Sequence, residues 1–221
     1  MLDSLEEANL LVERSQKSNE HIDFTQVVEF IAGQQIRYGK DSGVFVESKN
    51  VSRSKVRVFT GEKLQTNLAA KIILTAESTR ALALTNSASE FIQSSIDLAV
   101  NWLEDQCISK FCSTGECKYS TIAFMRLLNA LGKTERLDRM IRILSKHRDD
   151  KGGWKGFPYF FTLLALVETE TETATEELSY VLDFTQTRFS RSRIEEPYNS
   201  RREQILTQIM DRFGLSLFSH V

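Results

Sequence analysis

Apolar residues three and four apart recur along this chain in stripes that repeat about every 40 residues, which constrains the fold to paired helices stacked side by side. Ile96, Val100 and Leu103 form one stripe, Leu137, Ile141 and Leu144 a second, and Leu178, Val181 and Leu182 a third. Between them lie the apolar segments Ile122–Leu131, Tyr159–Val167 and Ile205–Leu217. One face of such a helix is oily, and a neighbour must cover it. An earlier copy begins at Phe24, Val27, Val28, Phe30 and Ile31, with Leu64, Leu68 and Ile72 as its partner. The expected fold is all-α, a stack of antiparallel helical hairpins.

Signals for helix ends support the same reading. Ser87 to Glu90, Ser113 to Glu116 and Thr173 to Glu176 each have the capping-box form, a hydroxyl followed three residues on by a carboxylate. Pro158 and Pro197 stand where helices start, and Gly132 stands where one stops. The chain has only 2 prolines, which suits helix interiors, from which proline is excluded. The segment from Gly43 to Gly61 holds Val44–Val46 and Val56–Phe59. These clusters suit either a small β-hairpin insertion near 43–59 or a long loop. The expected organisation is an N-terminal arm or frayed helix over 1–20 and a single helical-repeat domain over 21–221.

Hydrophobic residues at 41% and charged residues at 26% belong to a folded chain, and a net charge of −2 gives no basic field for nucleic acid or anionic membrane. The first residues carry Asp3, Glu6, Glu7 and Glu13, unlike a secretory leader, and no apolar run is long enough to span a bilayer. The expected location is the cytoplasm. Cys107, Cys112 and Cys117 are too few for a disulfide framework, which agrees with a reducing compartment.

Two turns carry a further clue. Gln34 to Phe45 and Arg148 to Trp154 both end a helix with a polar, glycine-rich turn and an aromatic, and Gly115–Thr121 and Gly152–Thr162 extend the pattern. They resemble the turns of the prenyltransferase and squalene-cyclase α/α-toroid repeat, from about Phe24 to Leu182. The resemblance implies a partial toroid of alternating inner and outer helices. If Tyr119–Ser120 is set on the family's Tyr-Ser, Glu116 takes the place of its zinc-binding aspartate. Lys118 then replaces the cysteine and Phe161 the histidine. The resemblance therefore implies the scaffold without the catalytic ligands. The terpene-cyclase Asp-x-Asp-Asp motif is absent from the sequence.

The candidate ligand-binding residues are Glu116, Tyr119, Trp154, Tyr159, Phe160 and Tyr198, an acid and five aromatics able to line an apolar cavity or face a cation. Aromatic stripes are also ordinary packing, and Trp154 reads as structural. Asp105-Gln-Cys107 spells the family's Asp-x-Cys, and His147 could add a fourth ligand to the cysteines. Without any Cys-x-x-Cys spacing, partly buried free thiols are the expectation and no metal or cofactor is assigned. Arg188, Arg191, Arg193, Arg201 and Arg202 form one basic stretch, and Lys49, Arg53, Lys55 and Arg57 another. Both read as solvated or protein-contact faces, with nucleic acid set aside. No phosphate loop, dinucleotide fingerprint, nucleophile elbow or His-Glu-x-x-His is present in the sequence. The expected function is that of a non-catalytic or degenerate toroid-like repeat protein binding a protein partner or an apolar small molecule. The alternative is an isoprenoid- or terpenoid-handling enzyme using Glu116 as its acid.

Overall fold

The computed structural model describes residues 4–15, 24–47, 57–191 and 194–215. Among them are nine α-helices: α1 (Leu5–Ser15), α2 (Thr25–Gly33), α3 (Asn67–Leu84), α4 (Glu90–Glu104), α5 (Cys117–Ala130), α6 (Thr134–Ser145), α7 (Tyr159–Val167), α8 (Glu172–Arg191) and α9 (Tyr198–Arg212). No described helix is long and apolar enough to cross a membrane. The fold is all-α, and β-pairing among the described residues is confined to three isolated bridges.

The chain divides into two compact units, Met1–Val56 with Leu64–Gly132, and Arg57–Lys63 with Lys133–Val221. In the first, α3 packs against α1, α2, α4 and α5. Its buried residues run almost unbroken from Ile72 to Leu82, and many are Ala, Ser or Thr. Small side chains let helices approach on every side, so α3 shows no single oily stripe. Helix α5 is likewise buried at every position from Ser120 to Leu128.

One of those positions is Arg126, whose side chain has no exposure. Its guanidinium donates to both carboxylate oxygens of Glu77 at 2.7 Å and to Glu13 at 3.3 and 3.4 Å. Arg80 completes the group, donating to Glu13 at 2.6 Å. Two cations and two anions thus neutralise one another in the core. A charge taken out of water is tolerable only on such terms. Helix α1 is anchored by Glu13 together with the fully buried Leu5, Ala8 and Val12.

In the second unit, α6 has the simplest pattern, with Leu137, Met140, Ile141 and Leu144 buried on one side. It packs on α8, which also meets α7, and α9 packs on α7 and α8. Arg212 near the end of α9 donates to the Thr169 carbonyl and the Thr175 hydroxyl, both at 2.9 Å.

The two glycine-rich turns close in the same way, with bridges between Gln35 and Phe45 and between Arg148 and Trp154. Gly43 is obligatory in the first: its φ is +99°, and a Cβ there would stand 2.2 Å from the Leu98 carbonyl oxygen. The expected hairpin near 43–59 is not what the described residues form. Phe45 pairs back to Gln35, and Arg57 pairs forward to Lys63. Each β-branched cluster finds its partner across its own glycine turn, Gly43 or Gly61; residues 48–56 lie outside the described residues.

The three expected capping boxes mark helix starts to within a few residues but do not form as drawn. Helix α4 begins at Glu90 with Ser89 as its cap residue, and the Ser87 hydroxyl instead accepts from the Ser89 N–H at 3.3 Å. In α8 the cap is Thr171, which accepts from the Ala174 N–H at 3.3 Å, while Thr173 donates to Asp138. At α5 the carboxylate of Glu116 has gone elsewhere.

Candidate metal centre

Cysteines five apart on an unbroken helix would be turned by about 140° from one to the next, so they could not converge. Here the helix is broken. Helix α4 ends at Glu104 with Asp105 as its cap, and Cys107 opens a 3-10 turn, Cys107–Lys110, seated by the fully buried Ile108. Phe111 follows at φ +65°, a left-handed conformation that costs a bulky residue energy and reverses the chain. Cys112 lies in the reversed segment, its carbonyl held by the Thr121 hydroxyl at 2.8 Å from within α5. Gly115, at φ +50°, turns the backbone again and delivers Cys117 as the first residue of α5.

The result is that the Sγ atoms of Cys107, Cys112 and Cys117 all lie within 4.8 Å of one another, with Cys107 and Cys117 3.7 Å apart. Cys107 is exposed and the other two are half-buried. Cysteines that merely fill a core are usually buried; these gather at its edge.

Three anions cannot share so small a space without a cation. Burial, followed by the S–H contacts and the negative charge of its two neighbours, pushes the Cys117 thiol up to about 12. Burial and the contact with Cys112 raise Cys107 as well. Burial opposes ionisation of Cys112 too, but the Thr114 N–H, the two neighbouring thiols and the Thr114 hydroxyl donate to it and hold it below the ordinary thiol value. Of the three, Cys112 is therefore the thiol that gives up its proton most readily. A bound divalent or soft monovalent cation would draw the protons from the other two as well, because coordinated thiols give up their protons.

Thiolate donors suit zinc(II) and copper(I). Zinc bonded to sulfur at about 2.3 Å in a tetrahedron sets its sulfurs about 3.8 Å apart, close to the 3.7 Å between Cys107 and Cys117. An ion held by the three sulfurs would have a fourth position to fill, and the exposure of Cys107 would admit water or an incoming ligand there. Among the described residues the grouped donors are these three sulfurs. His147, offered by the sequence as a fourth ligand, belongs to the second unit and stacks on Phe157 at 5.4 Å.

The candidates drawn from the sequence fall in both units. In the first, Glu116 precedes Cys117, and its carboxylate accepts from the Gln65 and Thr66 N–H groups at 2.7 Å and from the Thr66 hydroxyl at 2.6 Å. Burial works against its charge, but these three donors hold it below the ordinary glutamate value. The helix it caps is α3 rather than its own. Tyr119 lies half-buried in the first turn of α5.

In the second unit, Trp154 is buried and donates from Nε1 to Glu177 at 2.7 Å, a carboxylate that also receives Arg148. Tyr159 lies 6.3 Å from Trp154 and 5.1 Å from Phe160, ring centre to ring centre, so these three form one aromatic run. The two basic stretches meet here through Arg57, Arg201 and Arg202. Tyr198 sits within 5.3 Å of the Arg57 and Arg201 guanidiniums, and Arg202 lies over Phe160 at 4.4 Å. Arg57 donates to Gly61 and Glu195, and Arg201 and Arg202 donate to the Phe59 and Thr60 carbonyls. Their hydrogen bonds tie residues 57–63 to α9, a structural task. Lys49, Arg53, Lys55, Arg193 and the side chains of Arg188 and Arg191 lie outside the described residues.

No family model, curated protein or solved structure matches this chain.

Proposed function

We propose that the chain is a non-catalytic helical protein whose ligand is a soft metal ion, zinc(II) foremost, bound by Cys107, Cys112 and Cys117. One observation carries this reading: three sulfurs from three separate backbone segments converge within 4.8 Å at a solvent-accessible edge. Convergence of that kind costs backbone strain at Phe111, and a shared cation supplies a physical return for it. The test uses reduced full-length protein and cobalt(II) as an optical stand-in for zinc. One equivalent should give intense sulfur-to-cobalt charge transfer, displaced by zinc, and Cys112→Ser should abolish it. Failure of the reduced protein to retain zinc in equilibrium dialysis at micromolar concentration would sink the proposal.

A second reading, binding of a partner protein, has its own support in the first unit. The bridged turn holds out Tyr38, 88% exposed, beside Arg37, whose guanidinium lies 4.1 Å above the Phe91 ring and donates to the Ser95 hydroxyl at 2.7 Å. Exposed Tyr38 and Phe91 beside the half-buried Arg37 are of the residue types that anchor protein interfaces. Sedimentation should show a self- or partner complex that is lost in the Tyr38→Ala, Phe91→Ala double variant. The isoprenoid reading puts its acid at Glu116, which must then surrender three hydrogen bonds to α3. A rise in melting temperature with prenyl diphosphates would support it, and no shift counts against it.

A further inference from the structure

We propose that the same cluster is a thiol–disulfide switch, in which a hydroperoxide converts Cys107 and Cys117 to a disulfide and thereby expels the metal. The release step rests on the metal-binding reading; the disulfide step does not.

The geometry selects the pair. Cys107 is the exposed thiol and therefore the one an oxidant in solution meets first. Cys117 lies 3.7 Å away, sulfur to sulfur, already in van der Waals contact. Closing to the bonded distance of about 2.05 Å needs a movement of under 2 Å, shared between two side chains. The 3-10 turn carrying Cys107 can supply it, since it follows the end of α4, while Cys117 is fixed in the first turn of α5.

The chemistry balances. The Cys107 sulfur attacks the terminal oxygen of the hydroperoxide, an S–O bond forms and the O–O bond breaks. The departing alkoxide takes the proton that Cys107 gave up, or a solvent proton where a metal had already displaced it, and leaves as an alcohol, or as water from hydrogen peroxide. The Cys117 sulfur then attacks the sulfenic sulfur, an S–S bond forms and the S–O bond breaks. Hydroxide leaves as water, taking the Cys117 proton in the metal-free cluster and a solvent proton in the loaded one, where the two sulfurs give up the charge that held the cation. Two thiols are oxidised by two electrons in all, and one peroxide is reduced.

Metal and disulfide exclude each other for a simple reason. A zinc ion holds its sulfurs about 3.8 Å apart and needs their lone pairs and charge. A disulfide draws two of the three sulfurs together and removes their charge. Cys112 alone cannot then retain the ion.

Reduced full-length protein, metal-free and zinc-loaded, is treated with hydrogen peroxide in slight excess and followed by intact mass, peptide mapping and a chromophoric zinc indicator. The expected result is loss of two hydrogens per chain, mapped to a 107–117 crosslink, with zinc appearing at the same rate in the loaded sample. Cys117→Ser should instead trap Cys107 as a sulfenic acid, detected by a carbon nucleophile selective for that group. An unchanged mass, accumulation of sulfinic acid at Cys107 without crosslink, or a crosslink to Cys112 in the wild-type protein would each overturn the assignment. Zinc retained alongside a complete 107–117 crosslink would overturn the release step. A protein that forms the crosslink but never held zinc refutes the metal reading and leaves the disulfide step standing. One that holds zinc but forms no crosslink does the reverse.

Discussion

Glu116 closes the first turn of α3 through Thr66, fifty residues earlier in the chain, accepting from both its N–H and its hydroxyl. Thr66 in turn accepts from the Ala69 N–H at 3.3 Å, so the carboxylate and the hydroxyl together serve a helix end that would otherwise expose unpaired donors. Because Glu116 adjoins Cys117, the contact that caps one helix also fixes where the next begins.

Replacing Glu116 with Ala should cost about 1 kcal/mol of stability, within the range found for lost helix caps. The folded carboxyl ionises more readily than the unfolded one, so its contribution is fully present above the ordinary glutamate range. It fades as the pH falls through that range and then through the lower folded value. Urea melts of wild type and variant should therefore differ at neutral pH and converge in acid.

Arg126→Met should be far more damaging, by about 3–5 kcal/mol, because Glu77 and Glu13 would lose the buried guanidinium that both accept from. Changing Glu77 to Leu in the same chain should recover part of the loss. Equilibrium unfolding of the single and double variants gives the comparison.

Zinc affinity should rise with pH. Binding must remove protons from thiols that hold them tightly, Cys117 up to about 12, so each proton displaced strengthens apparent binding by up to about tenfold per pH unit while that thiol is protonated. Calorimetry in two buffers of different ionisation enthalpy counts the protons released, and more than one per zinc is expected.

Gly43→Ala and Gly33→Ala should act in opposite directions. Gly43 has φ +99° and the Leu98 backbone in the way, so the substitution strains the turn and should cost more than about 2 kcal/mol. Gly33 ends α2 with open space around it, and alanine there should be neutral or stabilise by up to about 1 kcal/mol. Thermal denaturation of the two variants separates them.

What the sequence made legible follows from how local each signal is. Helix α6 reads directly from its stripe because one side faces the core and the other does not. Helix α5 has its stop at Gly132, φ +65°, in plain view. Helix α3 is harder: its Ala, Ser and Thr are buried on all sides, and burial without asymmetry leaves no period to detect. The capping box at Ser113 named the right carboxylate and the wrong helix, since a tertiary contact with Thr66 outcompeted the local one. The cysteine cluster was hidden by its own spacing. A spacing of five would scatter the thiols around an unbroken helix, and the left-handed Phe111 and the turn at Gly115 together bring them into one place. Glu13 reads in the sequence as one more acidic residue unlike a secretory leader, and nothing near it in the chain points to a partner at Arg126.

That last pairing bears on how the protein is made. Glu13 leaves the ribosome 113 residues ahead of Arg126, so during synthesis the amino-terminal helix cannot yet have its full set of counter-charges. Until α5 emerges, α1 has oily residues and a carboxylate with no finished core to receive them. The first unit is thus completed from its far end, and a nascent chain halted before Arg126 would leave its opening segment unsheltered.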